Sequence, residues 1–133
     1  MGAKIVTHRD LDVNKRAFEA AMVVVEASKK FPKEETYSLT DQMRRSSRSV
    51  CSNLAEAWRK RRYEAAFISK LNDSEAEAAE TQTWLEFSVR CGYLDKDLPK
   101  KLFDEYNSII ATLVGISNHP ETWVLTKRPI AGH

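Results

Sequence analysis

Between residues 64 and 91 the positions Phe67, Leu71, Ser74, Ala78, Thr81, Leu85 and Ser88 recur at alternating spacings of four and three. That is the rhythm of a helix packed along one seam. Small residues at Ser74, Ala78 and Thr81 let a neighbouring helix come close, and Trp84 and Phe87 extend the expected buried face. The same rhythm returns in Leu102, Tyr106, Ile109, Leu113 and Ile116, predicting a helix over 97–117 with Asp95 or Asp97 as its cap and Pro99 in its first turn. Upstream, Leu39, Met43, Val50, Leu54, Ala57 and Trp58 predict a helix over 39–61 that opens at Ser38. Leu11, Ala17, Phe18, Ala21, Met22 and Val25 predict a first helix over 10–30, with Asp10 as N-cap and Phe31-Pro32 as its stop.

Four amphipathic stretches with short connections make sequential helices antiparallel neighbours. The expected fold is an all-α, antiparallel up-down-up-down four-helix bundle in a single domain spanning 1–133, with an irregular tail over 119–133 that holds Trp123, Leu125 and Pro129. Phe103, Ile110 and Val114 lie beside the seam of the last helix, as Ile68 and Trp84 do on the third. This surplus fits either contact with a second subunit or one broad core-facing stripe. Trp123 is costly to leave in water, so the tail is expected to dock on its own bundle or on a neighbour.

Composition narrows the function classes. The chain has 133 residues, 42% hydrophobic and 30% charged, with 21 Lys+Arg against 19 Asp+Glu and four glycines. A net charge of +2 sets up no global field, so any polarity is local. Gly2, Gly92, Gly115 and Gly132 are too dispersed for a phosphate-cradling loop. His8, His119 and His133 have no partner at helical spacing, and Cys51 and Cys91 form no CxxC, so no metal or cofactor is expected. The run 20–25 is too short to span a bilayer, and no signal-peptide core opens the chain. The expectation is a non-enzymatic cytoplasmic protein with no membrane contact.

Charge is segregated between neighbouring helices. Over 40–63, Arg44, Arg45, Arg48, Arg59, Lys60, Arg61 and Arg62 outweigh Asp41 and Glu56 to give +5, whereas 64–91 carries −4. Cations at a helix C-terminus are favoured by the macrodipole, and the acidic helix offers salt-bridge partners, so a structural origin stands beside a phosphate-binding one. On the same helix Gln42, Ser46, Ser49, Asn53 and Glu56 form a polar stripe. It reads as an internal network that fixes helix register, with Glu80 as a further member. The competing reading is a ligand groove, and a small-molecule or hydrolytic site would draw on Glu56, Glu77 or Glu80.

Two blocks carry a family resemblance. Residues 39–57, LTDQMRRSSRSVCSNLAEA, hold a Gln, an Arg pair, a Ser-Val step and an Asn-x-x-Glu; residues 76–94, AEAAETQTWLEFSVRCGYL, hold Glu-Thr-x-x-Trp-Leu followed by Gly-Tyr. Together with Asp10-Leu11, Ala17 and Phe31-Pro32 they resemble the 23S rRNA intervening-sequence protein family over about 10–117. The resemblance implies a four-helix bundle that assembles as a ring-like homopentamer without established enzymatic activity. A related branch, the accessory variability determinant of diversity-generating retroelements, is a basic pentamer that binds a reverse transcriptase and nucleic acid. Ala57 stands where members often have Gly, and the net charge is lower than in that branch. The combined expectation is a homo-oligomeric assembly or adaptor whose partners are further copies of itself and RNA or DNA, engaged through the helix-two arginines. The alternative is a protein-binding scaffold with no physiological nucleic-acid ligand.

Overall fold

The computed structural model describes residues 4–125. It contains four α-helices, α1 (Asp12–Ser28), α2 (Leu39–Arg59), α3 (Glu64–Arg90) and α4 (Asp97–Asn118), with single 3-10 turns at His8–Asp10, Lys33–Glu35 and Pro120–Thr122. No strand occurs among the described residues. Helix α2 packs on α3, α3 on α4, and α1 on both α2 and α4, consistent with a four-helix bundle.

The helix starts differ from the sequence expectation in instructive ways. Asp10 does not cap α1. Its carboxylate turns back to accept the Val6 and Thr7 N–H groups at 2.8 and 3.0 Å, while Thr7 Oγ1 accepts from Arg9 N at 3.2 Å. This reciprocal capping box closes the His8–Asp10 turn and leaves Leu11 at the N-cap position of α1 without a side-chain bond. Ser38 stands at the N-cap of α2, yet its hydroxyl donates to Glu35 Oε1, which also accepts Leu39 N at 3.2 Å. Glu35 therefore satisfies the orphan N–H of the first helical residue, and Ser38 makes no side-chain cap bond. At α4 the N-cap position belongs to Lys96 with no side-chain bond, and Asp97 is the first helical residue.

Helix α3 ends in a Schellman motif. Gly92 has φ +76°, a left-handed conformation that suits glycine because it has no Cβ. Gly92 N donates to Val89 O and Tyr93 N to Ser88 O, both at 2.9 Å. The turn delivers Tyr93 onto Phe31, with ring centroids 5.5 Å apart.

The seam predicted for α3 lies in the core: Phe67, Leu71, Ser74, Ala78, Thr81, Leu85 and Ser88 are all buried, as are Leu102, Tyr106, Ile109 and Leu113 of α4. Along α2 and α3, side-chain bonds link Lys70 to Asn53, Ser74 to Val50, Thr81 to Ser46 and Ser88 to Met43, so the α2 partner number falls as the α3 number rises. Helix α1 departs from expectation. Val13, Ala17, Ala20, Val24 and Ala27 face the core, whereas Phe18 is 55% and Met22 50% exposed. The segment 20–25 is apolar all round, so periodicity does not choose between its faces; the face richest in alanine turns inward and keeps the helices close. Phe87, expected in the buried face of α3, is 52% exposed. The surplus on α3 and α4 is partly absorbed, since Ile68, Trp84 and Ile110 pack against the core.

Candidate interaction surface

The seven helix-two cations separate into three environments. Arg44, Arg48 and Arg59 fall within roughly 60° of one another at 100° per residue and share the outer face of α2. Arg44 is tethered, its Nε donating to Ser28 Oγ of α1 at 2.7 Å. Arg48 and Arg59 are exposed. Arg45 belongs to the flank facing α3, where its charge favours the ionised form of Glu77 against burial, which raises that carboxyl's pKa. Arg61 lies flat over the Trp58 ring, 3.5 Å from its centroid, and donates from Nε to Trp58 O at 2.8 Å. Its own carbonyl accepts Leu125 N at 2.8 Å, and burial lowers its pKa. Lys60 and Arg62 remain exposed beside it.

The polar stripe resolves around a residue that sequence reading missed. Lys70 Nζ reaches Glu56 at 3.1 Å and Asp73 at 3.7 Å, and donates to Asn53 Oδ1 at 3.4 Å. The hydrogen bond to Glu56, with both carboxylates, raises the lysine pKa. Asn53 also donates to Ser49 O at 2.9 Å. Gln42 and Glu80 are exposed, and no side-chain hydrogen bond among the described residues joins them to this cluster. The more deeply buried polar layer shares only Ser46 with the expected stripe. Ser46 and Thr81 share a hydrogen bond at 2.7 Å, Ser74 donates to Val50 O at 2.8 Å, and Gln82 donates to Phe103 O and Asn107 Oδ1 at 2.9 Å. Of its members Ser46 stands in the polar stripe read from the sequence, Ser74 and Thr81 stand among the small residues of the α3 seam, and Gln82 carried no sequence signal.

Two concavities mark the surface. The larger, about 800 Å³, runs between α1 and α2; its floor includes Phe18, Met22, Val25, Cys51 and Ala55, and Arg9, Lys15, Arg48 and Glu19 stand at its rim. Burial pushes the Cys51 thiol up to about 11. The smaller, about 320 Å³, lies between α3 and α4 over Leu85, Val89, Pro99 and Phe103. At the bundle end, Trp123 packs among Leu11, Leu54, Trp58 and Phe67, so the start of the tail docks on its own bundle. Residues 126–133, including Pro129, lie outside the described residues. Among the described residues no group of three or more His, Cys, Asp or Glu side chains is placed to hold a metal ion. No described helix is long and apolar enough to cross a membrane.

Fold and surface together define a small helical-bundle protein with exposed apolar and basic faces. A family model described as 23S rRNA-intervening sequence protein matches residues 9–115, and the chain belongs to that family. A crystal structure of a protein of unknown function from the S23 ribosomal protein family of Bacteroides thetaiotaomicron VPI-5482 is similar to it, with 29% identity and a TM-score of 0.71 over 79% of this chain and 97% of the other. No curated protein matches the chain.

Proposed function

We propose that this protein is a non-catalytic, cytoplasmic, homo-oligomeric adaptor, an antiparallel up-down-up-down bundle that associates through the α1–α2 groove and presents α2 cations to RNA or DNA. The observation that carries the reading is the half-exposed pair Phe18 and Met22 over an apolar groove. Large apolar side chains grouped on one face of a soluble bundle mark an interaction site. Resemblance to the family supplies the ring of five. Arg59, Lys60 and Arg62, exposed at one end of α2, supply the phosphate-facing charge, repeated once per copy around the ring.

The test is light scattering coupled to size exclusion on nuclease-treated protein, with and without a short RNA, at low and moderate salt. A multiple of 15.2 kDa that gains mass with RNA at low salt only is the expected result, because phosphate contacts weaken steeply as salt rises. A monomer overturns the assembly, and an oligomer indifferent to RNA overturns the nucleic-acid half. A second reading, a protein-binding scaffold, draws on the commitment of Arg44 and Arg61 to contacts within the chain. A pull-down partner that survives nuclease treatment favours it.

A further inference from the structure

We propose that the contact between copies is head-to-tail, with the exposed edge of α3 around Phe87 of one copy seated in the α1–α2 groove of the next. The inference rests on the homo-oligomeric reading above and names the two faces that meet.

The groove sets the requirements for its occupant. Its floor is apolar, and three cations, Arg9, Lys15 and Arg48, face one carboxylate, Glu19, at the rim. A two-fold contact of groove on groove brings the same patch against itself, so these cations oppose their own copies. Like charges juxtaposed across an interface suppress that pairing. The occupant is therefore a different face of the chain, apolar at its contact point and negative around it.

The edge of α3 offers Phe87 as the apolar contact and Glu80, two turns before it, as the carboxylate left free to meet the groove's cations, since Asp73 is shared with Lys70 and the exposed Arg90 lies one turn beyond Phe87. Asp73, Glu80 and Phe87 recur every seven residues, so at 100° per residue the three lie within roughly 40° of one another. Phe87 is 52% exposed, and Trp84 braces it with ring centroids 5.9 Å apart. Ala76 and Thr83, also exposed on this edge, are small enough to let another helix approach. Glu80 is exposed, and no cation of the described residues stands within salt-bridge distance of it. The lengths are comparable: at about 1.5 Å per residue, Asp73 to Phe87 spans ~21 Å of α3 and Asn14 to Val25 spans ~17 Å of the groove's α1 wall.

A contact between two different faces leaves each copy with one groove and one edge to satisfy, so it propagates from copy to copy and closes into a ring where the rotation between copies divides the circle. Seating α3 in the groove takes Arg48 into the contact and leaves Arg59, Lys60 and Arg62 outside it.

Two exposed substitutions test the pairing. Phe18→Glu spoils the groove and keeps the α3 edge; Phe87→Arg spoils the edge and keeps the groove. Far-UV circular dichroism verifies that each variant is folded, and light scattering reads the mass. Each variant alone is expected at the 15.2 kDa of one chain, and an equimolar mixture at twice that mass, because one intact edge meets one intact groove and no further contact can form. A wild-type oligomer that survives Phe87→Arg, or a mixture that stays monomeric, overturns the head-to-tail pairing and leaves the oligomeric reading standing. A monomeric wild type overturns both.

Discussion

The Tyr93 hydroxyl donates to Glu35 Oε2 at 2.8 Å across 58 positions of sequence. The other oxygen of the same carboxylate accepts the Ser38 hydroxyl and the first backbone N–H of α2. The Schellman turn after α3 and the start of α2 thus share one carboxylate. The bonds from Ser38, Tyr93 and Leu39 hold Glu35 below its ordinary pKa, and the Glu35 bond pushes Tyr93 up to about 12.

These shifts bound the pH range over which the pair stabilises the fold. A depressed carboxylate contributes above its unfolded pKa and loses that contribution as pH falls through the lowered value. A raised phenol contributes below its unfolded pKa and loses the contribution as pH rises through about 12. Chemical denaturation of wild type and Glu35→Gln across pH is expected to show the variant less stable near neutrality, with the gap narrowing at both the acid and the alkaline end. A gap of constant size from acid to alkali sinks this assignment.

Tyr106 is fully buried, and its hydroxyl has no hydrogen-bond partner among the described residues. Burial raises its pKa, so the phenol stays neutral and carries an unmet donor. Such a group costs about 1–3 kcal/mol. Tyr106→Phe removes the oxygen and keeps the ring, and is expected to stabilise by about 1 kcal/mol, raising Tm by on the order of 4 °C. A fall in Tm measured by calorimetry would mean that the hydroxyl is hydrogen-bonded in the folded protein.

Four helices were legible because the four-three rhythm of α3 and α4 is local information. Helix α1 was legible as a helix but not in its rotation: residues 20–25 are apolar in every direction, and the alanine face wins only once α2 and α4 are present to pack on it. That ambiguity hid the exposed Phe18 and Met22, and the pattern pointed to surplus apolar surface on α3 and α4 instead. Among polar groups the type was readable and the partner was not. Asn53 and Glu56 looked like network residues, yet their hub, Lys70, is one of only two cations on an acidic helix. Glu35 and Tyr93 meet across two intervening helices, α2 and α3, so no spacing announces them.

The close approach of α2 and α3 depends on small residues, and Ala78 is the most demanding of them. It is fully buried, one turn from Ser74, whose hydroxyl donates to Val50 O on α2. Extra methylenes in a well-packed core typically cost 1–3 kcal/mol, occasionally more. Ala78→Leu is expected at about 3 kcal/mol in urea denaturation, with the exposed Ala79→Leu within about 0.5 kcal/mol of wild type as control. Equal effects at the two positions would refute the tight contact.

The two thiols should react unequally. Cys51, half-buried on the groove floor and pushed up to about 11 by burial, presents almost no thiolate near neutrality, whereas Cys91 is exposed beside Gly92. The thiolate is the nucleophile. Iodoacetamide at pH 8 followed by mass spectrometry is expected to modify Cys91 first and Cys51 only on unfolding. Prompt labelling of Cys51 in folded protein contradicts its burial.

Arg61 separates structural from ligand-facing charge within one short cluster. Its guanidinium is stacked on Trp58, and its carbonyl holds Leu125, while Arg59 and Arg62 are exposed. A cation–π contact contributes about 0.5–2 kcal/mol depending on desolvation. Arg61→Ala is expected to lower stability by about 1 kcal/mol and to loosen the docked segment, read as faster hydrogen exchange at Leu125. Arg59→Ala and Arg62→Ala should leave stability within about 0.5 kcal/mol of wild type. In the adaptor reading, retention on immobilised RNA at low salt follows the opposite order, falling for Arg59→Ala and Arg62→Ala and little for Arg61→Ala. If Arg61→Ala costs no stability and reduces retention as much as the other two, the stacked arginine belongs to the ligand surface, and the division of the cluster drawn from its geometry fails.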